Sequence, residues 1–139
     1  MFNALFSADY LNAHRSNMTA HVDILFLEVN EQHLIARMPV DYRTTQPMGI
    51  LHGGASVVLA ETLGSVGALA HIDSSKYYPV GLEINANHIR TVRNGYVYGK
   101  ATPIHLGRRT HVWGIEITDE EGKLVCISRL TVAILERES

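Results

Sequence analysis

Apolar residues recur at helical spacing in the middle of the chain, over residues 54–72, and no proline breaks the pattern. The positions that carry this spacing are Val57, Val58, Ala60 and Leu63. One acid, Glu61, lies in this segment, which has no other Asp, Glu, Lys or Arg, and Ser65 follows four residues later on the same helical face. The pattern therefore predicts one long apolar helix that carries a single carboxylate.

Six other segments are rich in branched apolar and aromatic residues and alternate at least in part, which is typical of strands. The predicted strands are residues 21–29, 33–40, 78–89, 96–104, 110–118 and 123–135. Turn signals separate them, and the strongest one between the third and fourth strands is Asn94–Gly95. Before the first strand, residues 8–15 predict a short helix and residues 17–19 a connector.

The order of the main elements is β-β-α-β-β-β-β, with short turns between the last four strands. Short turns join antiparallel neighbours, so we expect the last four strands to lie side by side. One long helix beside one antiparallel sheet is an α+β arrangement in which the sheet wraps the helix. The length of 139 residues fits a single domain over residues 1–139.

The composition excludes several classes of protein. The net charge of -2 argues against a general nucleic-acid-binding protein, which would be basic. Cys126 is the only cysteine, which excludes an intrachain disulfide, suits a reducing cytoplasm and predicts a buried apolar role. No uncharged apolar run is long enough to span a membrane and no signal peptide is recognisable, so we expect a cytoplasmic protein. The 8 histidines form no convincing ligand set, so we expect no metal.

A loop at residues 41–51 leads into the predicted helix. Pro47 and Gly49 break regular structure there, and the pair Gly53–Gly54 lets the backbone approach another group closely. The first N–H groups of a helix have no partners within the helix, and the helix dipole adds partial positive charge. The helix start therefore favours an anion, or a carbonyl oxygen that becomes one.

These residues together resemble a known family. The motif is Gln46-x-x-Gly49-x-x-His52-Gly53-Gly54 followed by Ala60-Glu61, and the downstream runs are Val80-Gly81-Leu82-Glu83-Ile84-Asn85-Ala86-Asn87-His88 and His105-Leu106-Gly107-Arg108. Over about residues 21–135 the chain resembles the aryl- and acyl-CoA thioesterases of the hotdog fold. It is most similar to the subfamily that hydrolyses 1,4-dihydroxy-2-naphthoyl-CoA in menaquinone synthesis, or related aromatic and acyl-CoA esters. The resemblance implies hydrolysis of a CoA thioester by a homodimer or a dimer of dimers, without a cofactor.

The resemblance implies a catalytic role for Glu61, and two chemistries stay open. The carboxylate can act as a general base on water, or it can attack the thioester carbonyl directly. Ser65 would help to hold the water or the carboxylate. The alternatives are structural: a buried helix acid paired with an arginine, and a small serine at a tight helix contact.

In the loop, the resemblance implies that the Gly53 N–H points at the thioester oxygen, while Gln46 and His52 position the thioester; the alternative is a structural histidine. CoA carries phosphates, which the forked donors of arginine suit, although solvated strand-end charges are the other interpretation of the basic residues. Gly81 would lie near the acyl or pantetheine path. The other residues implied to bind substrate or CoA are His88, Ile89, Arg90, Thr91, His105, Leu106, Gly107, Arg108, Arg109 and Thr110.

Spacing along the helix adds an expectation about assembly. Glu61 lies eight residues after Gly53, which is about 12 Å along one helix axis. A base and an oxyanion donor must both come within about 3 Å of one carbonyl region, so one helix cannot easily supply both. Two antiparallel helices across a twofold axis can, and the small residues Ala60, Gly64, Gly67 and Ala68 would permit their close approach. We therefore expect each site to be built from both chains of a dimer.

Two rival functions belong to other classes. A hotdog hydratase or dehydratase uses a paired Asp and His in a different loop pattern, which this sequence lacks. A non-catalytic acyl-CoA sensor would lack the helix acid and usually carries a DNA-binding segment, whereas this chain has Glu61 and no such segment. The sequence therefore favours a hydrolase.

Overall fold

Six antiparallel strands wrap one long helix in the computed structural model, which describes residues 1–138. The helices are α1 (Ala8–Ala13), α2 (Asn17–His21) and α3 (Gly53–Ala70). The strands are β1 (Leu25–Val29), β2 (Leu34–Pro39), β3 (Tyr77–His88), β4 (Tyr96–Leu106), β5 (Thr110–Thr118) and β6 (Leu124–Glu136). Helix α3 packs against five of the strands, β2 to β6. The predicted α+β architecture and the order of its main elements are confirmed.

The order of strands across the sheet is β1-β2-β4-β5-β6-β3. The expectation that the last four strands lie side by side is wrong for one pair, because β3 pairs with β6 while β4 pairs with β2. Residues 89–95 carry the chain across the fold instead of turning it back. The Leu51 N–H donates to the Val92 carbonyl at 2.8 Å, and the Val40 N–H donates to the Gly95 carbonyl at 2.8 Å. Asn94–Gly95 therefore ends a crossing segment, and Gly95 takes a positive φ of 76° there.

The N-terminal region differs from its prediction in detail. The helix expected at residues 8–15 is present as α1, whose first turn is capped by the Ser7 hydroxyl. The connector expected at residues 17–19 is wrong, because these residues belong to α2. The strand expected from residue 21 begins only at Leu25. A helix of 5 residues is too short to show a period in the sequence.

The core lies between α3 and the concave face of the sheet. Leu59 and Leu63 of the helix are fully buried, as are Leu34, Ala36 and Met38, which alternate along β2. Full burial of one leucine side chain contributes about 1.5–3 kcal/mol. Cys126 is also buried, which confirms its apolar role, and burial raises the pKa of its thiol.

The small residues of α3 face the sheet of their own chain. Ala60 and Ala68 are fully buried, and a Cβ on Gly64 would lie 2.6 Å from Leu130 while a Cβ on Gly67 would lie 2.7 Å from the Trp113 ring. The expectation that these residues permit approach of a second helix is therefore wrong. They let α3 sink into the curved sheet.

Helix α3 is long and apolar enough to cross a membrane by length and composition alone, but half of that segment is buried inside the fold. It is the central helix of the core, and core helices of soluble proteins meet the same criterion.

The two edges of the sheet differ. At the β1 edge, the Asn12 side chain donates to the Phe26 carbonyl at 2.8 Å and accepts from the Phe26 N–H at 2.8 Å. Arg15 donates to the Ile24 carbonyl at 2.8 Å. At the β3 edge, the strand pairs with β6 on one side, and Val80 and Leu82 are exposed. Side chains close one edge, and the other stays open for pairing.

Candidate active site

The loop before α3 is anchored at the end of β2. The buried Thr44 hydroxyl donates to the Pro39 carbonyl at 2.7 Å, and the Thr44 carbonyl accepts from the His52 N–H at 2.8 Å. Arg43 forms an ion pair with Asp41 at 2.6 Å, and this hydrogen bond holds the pKa of the Asp41 carboxyl below its usual range. Sequence reasoning missed these anchors. They fix the path of the loop toward the helix.

His52 caps α3. The Gly54 N–H donates to Nδ1 of His52 at 2.8 Å. Because Nδ1 accepts this bond, the N–H of the neutral ring lies on Nε2. The exposed ring therefore offers a hydrogen-bond donor to a ligand while its other nitrogen stabilises the helix start.

Gln46 has a similar arrangement. Its side-chain carbonyl oxygen accepts a hydrogen bond from the Met48 N–H. This contact fixes the orientation of the amide, so the NH₂ group is left to donate elsewhere. In both Gln46 and His52, a side-chain acceptor atom therefore binds the backbone N–H two residues later.

Each residue of the glycine pair leaves space for an imidazole ring. A Cβ on Gly53 would lie 2.8 Å from Nε2 of His88, and a Cβ on Gly54 would lie 2.9 Å from Nδ1 of His52. The close approach expected at this pair is confirmed, and its partners are two side chains of the same chain. Within residues 1–138 the Gly53 N–H has no hydrogen-bond partner, as is usual in a first helical turn.

A cavity of about 290 Å³ opens beside this helix start. Its lining includes six of the predicted site residues, which are Gln46, Gly53, His88, Ile89, Arg90 and Thr91. The structure therefore brings the loop motif together with the end of β3. Donors prevail among the polar groups here, which suits an oxyanion or a phosphate.

Glu61 and Ser65 lie elsewhere. Both are half-buried in the middle of α3. Glu61 lies about 12 Å from Gly53 along the helix axis. A Cβ on Gly81, in the middle of β3, would lie 2.5 Å from the Glu61 carboxylate. Within residues 1–138 no basic side chain pairs with Glu61. One chain thus offers no arginine partner for the structural interpretation, and it keeps the acid away from the loop cavity.

The residues predicted to bind CoA fall into two groups. Ile89–Thr91 line the loop cavity, whereas Arg108 and Arg109 line a second cavity of about 330 Å³ with Tyr77 and Glu136. The turn that joins β4 to β5 carries Arg108 and Arg109, and it closes through the Gly107 N–H, which donates to the Thr110 carbonyl at 2.9 Å. His105 and Leu106 are exposed beside this turn. The two cavities lie at opposite ends of β3, about 35 Å apart along the strand.

Two buried histidines at the far end of α3 were not singled out by the sequence. Burial lowers the pKa of His111 to about 4, and His71 and His105 add to the effect. His71 lies within hydrogen-bond distance of the Gly67 and Glu31 carbonyls, at 2.8 and 3.0 Å. The alternation of His111 with buried Trp113 along β5 was the signal that could have found the first of them.

Across residues 1–138, no group of three or more His, Cys, Asp or Glu side chains could hold a metal ion.

Comparison with known proteins identifies the family of this chain. The thioesterase superfamily model matches residues 48–126, which include His52–Gly54, helix α3 and strands β3 to β5. The 1,4-dihydroxy-2-naphthoyl-CoA hydrolase of Escherichia coli K12 is 56% identical over 119 residues, covering 86% of this chain and 87% of that protein. The proofreading thioesterase EntH of Klebsiella pneumoniae is 46% identical over 126 residues, covering 90% of this chain and 91% of that protein.

The fold has a close match among solved structures. A crystal structure of a mutant thioesterase from Pseudomonas aeruginosa superposes with a TM-score of 0.94 at 47% identity, covering 98% of this chain and 99% of that one. A thioesterase structure from Haemophilus influenzae gives a TM-score of 0.92 at 46% identity, covering 97% and 94%. The chain therefore belongs to the thioesterase superfamily, as a hotdog-fold enzyme that hydrolyses thioesters.

Proposed function

We propose that this enzyme hydrolyses the thioester of an aromatic acyl-CoA, in a site that a second copy of the chain completes. The observation that carries the proposal is the separation of two half-sites within one chain. The donor cluster at the start of α3 and the Glu61 carboxylate lie about 12 Å apart along the helix. The open edge of β3 runs beside both.

The donor half-site suits a thioester carbonyl. The Gln46 amide NH₂, the His52 Nε2–H and the free Gly53 N–H are all donors, and the acceptor atoms of both side chains are already bonded. Charge develops on the carbonyl oxygen as the tetrahedral species forms, and fixed donors stabilise that charge. The cluster thus polarises the carbonyl and does not abstract a proton.

The acid half-site supplies the attack. Glu61 either deprotonates a water that attacks the carbonyl carbon, or attacks that carbon itself to give an anhydride that water then opens. In both routes the carbon–sulfur bond breaks, the CoA sulfur takes a proton, and the acyl group leaves as the carboxylic acid. Ser65 follows Glu61 by four residues on the same helical face, and we assign it the role of holding the water or the carboxylate. No metal or other cofactor is required.

The edges of the sheet support the two-chain arrangement. Asn12 and Arg15 occupy the β1 edge, whereas β3 has one free side. Antiparallel pairing of two β3 strands about a twofold axis sets the Tyr77 end of one strand beside the His88 end of the other. The two cavities at opposite ends of β3 then meet across the interface. A dimer of such dimers is the assembly that the resemblance implies.

The same pairing unites the basic residues. Arg90 belongs to one cavity and Arg108 and Arg109 to the other, and within residues 1–138 none of the three forms an ion pair. Guanidinium groups bind phosphate through paired donors. We assign the pyrophosphate and 3′-phosphate of CoA to this composite basic surface. CoA esters are made and used in the cytoplasm, where we place the enzyme.

The acyl group is the most specific part of the proposal. It rests on the match to the Escherichia coli hydrolase of 1,4-dihydroxy-2-naphthoyl-CoA and on the motif spacing. Release of CoA should be followed with a thiol reagent for naphthoyl, benzoyl and saturated acyl-CoA esters. We expect the highest kcat/KM for the aromatic esters. A preference for saturated chains would overturn the aromatic assignment, and the absence of CoA release from every ester would overturn the hydrolase.

A further inference from the structure

We propose that Gly81 positions the Glu61 carboxylate, and that its missing side chain fixes where the acid lies. The inference rests on the proposed catalytic role of Glu61. It differs from the role that the resemblance implies for Gly81, which is contact with the acyl or pantetheine path. Here Gly81 acts through another residue and need not touch the substrate.

The space that a side chain at Gly81 would need is filled by the carboxylate. A Cβ there would lie 2.5 Å from Glu61 Oε2, 3.6 Å from Glu61 Cδ and 3.9 Å from Leu130 Cδ1. Ordinary van der Waals contact begins at 3.4 Å, so the two other atoms tolerate the Cβ and the oxygen does not. The conflict is confined to one oxygen of the proposed catalytic group.

A β-bulge lies at the same point. Gly81 pairs with Val132 and Glu83 pairs with Thr131, so Leu82 is an extra residue in β3. Bulges re-aim the side chains that follow them and are frequent beside active sites. The glycine and the bulge thus coincide at the point of β3 that faces the half-buried Glu61. Because Gly81 has no side chain, the carboxylate can lie close to the strand backbone.

Alanine at this position should fold. Gly81 does not have the left-handed φ that favours glycine, and alanine lowers the entropy of the unfolded chain. The atom in conflict is also the far end of a flexible side chain, which can move aside. The methyl group must push the carboxylate away by about 1 Å, and a misplacement of that size can cost about 100-fold in rate.

The first test is Gly81→Ala, measured as kcat and KM on the best CoA ester. We expect kcat to fall about 100-fold, KM to stay within about twofold of the parent, and the melting temperature not to fall. Gly114→Ala is the matched control, because Gly114 is a strand glycine whose Cβ would meet the exposed Ile104 side chain at 3.2 Å. That control should keep the parent kcat. A raised KM with unchanged kcat in Gly81→Ala would make Gly81 a substrate contact and overturn the inference.

The second test is a double variant with the shorter acid, Glu61→Asp. Asp at position 61 draws the carboxylate back by one methylene, so it no longer meets a methyl at position 81. We expect Glu61→Asp to lower kcat, and Gly81→Ala to cause little further loss in that background. Losses that multiply in the double variant would show that the two residues act independently, and the inference would be wrong.

A ligand-free crystal structure of Gly81→Ala separates this inference from the proposed function. We expect the Glu61 carboxylate to be displaced with the strand unchanged. A carboxylate in its parent position would overturn the inference while leaving the thioesterase chemistry intact. Full turnover by Glu61→Gln would overturn the catalytic role instead, whatever the crystal structure shows.

Discussion

We assign one role to each ring nitrogen of His52, and substitutions can separate the two roles. Nδ1 accepts the Gly54 N–H at 2.8 Å and caps α3, while Nε2 is the proposed donor to the thioester. Alanine removes both functions. Asparagine keeps a capping oxygen, because it is among the best N-cap residues, but its amide is too short to replace Nε2. His52→Ala and His52→Asn together therefore test the cap and the donor independently.

The expected sizes follow from these contacts. Loss of an N-cap costs about 1 kcal/mol, which for a chain of 139 residues lowers the melting temperature by about 3 °C. Loss of one oxyanion donor lowers kcat by about 100- to 1000-fold. We therefore expect His52→Ala to lose both stability and activity. His52→Asn should lose the activity alone.

Thermal unfolding and CoA release, measured at one protein concentration, test these expectations. A melting temperature unchanged in His52→Ala would show that the cap adds nothing. Parent kcat in His52→Asn would show that Nε2 is not a donor in the reaction. The ¹⁵N shifts of the ring in the free enzyme give a check without turnover, because they report which nitrogen carries the proton.

Three further predictions concern the acid, a buried histidine and the closed edge. Glu61→Gln should lower kcat by at least about 100-fold while CoA-ester binding is kept, because the amide is neither basic nor nucleophilic; more than a tenth of the parent kcat would exclude a catalytic role. The pKa of His111 is lowered to about 4, so the unfolded chain takes up more protons between about pH 6.5 and 4 and stability falls as pH falls. His111→Phe should remove about 2 kcal/mol of that loss at pH 5. If the variant and the parent lose the same free energy of unfolding between pH 7 and pH 5 in denaturant titrations, the burial argument is contradicted. Asn12→Ala should expose the Phe26 N–H and carbonyl and increase self-association, measured by light scattering. Asn12→Asp keeps the acceptor and should increase self-association less. If Asn12→Ala associates no more than the parent, the side chain of Asn12 does not protect the edge.

The sequence predicts the elements of this fold better than their arrangement. The period of α3 and the alternation of Leu34, Ala36 and Met38 are local patterns, and the structure has a helix and a strand at these positions. The position of β3 beside β6 is a long-range choice that the Asn94–Gly95 signal could not reveal, since that signal reports only a local positive φ. Strand order therefore needed the structure.

The candidate site shows the same limit. The spacing of Gln46, His52 and Gly53 predicts the helix start, because glycines and the unpaired N–H groups of a first helical turn depend only on the local sequence. The small residues of α3 share one helical face, but their spacing does not show whether that face meets a second helix or the sheet of the same chain. The contact of Gly81 with Glu61 joins residues twenty positions apart on different elements, and no periodic pattern records it.

The shared site is the central claim, and complementation between two inactive chains tests it most directly. Glu61→Gln and His52→Ala chains, carrying different tags, should be co-expressed or refolded together in equal amounts. If each site takes its acid from one chain and its donor loop from the other, every mixed dimer has one intact site and one doubly damaged site. Random exchange makes half of the dimers mixed, so activity should return to about a quarter of the parent value per site. Mixed dimers that form, as the two tags would show, and yet recover no activity would place Glu61 and His52 of one chain in the same site and contradict the account.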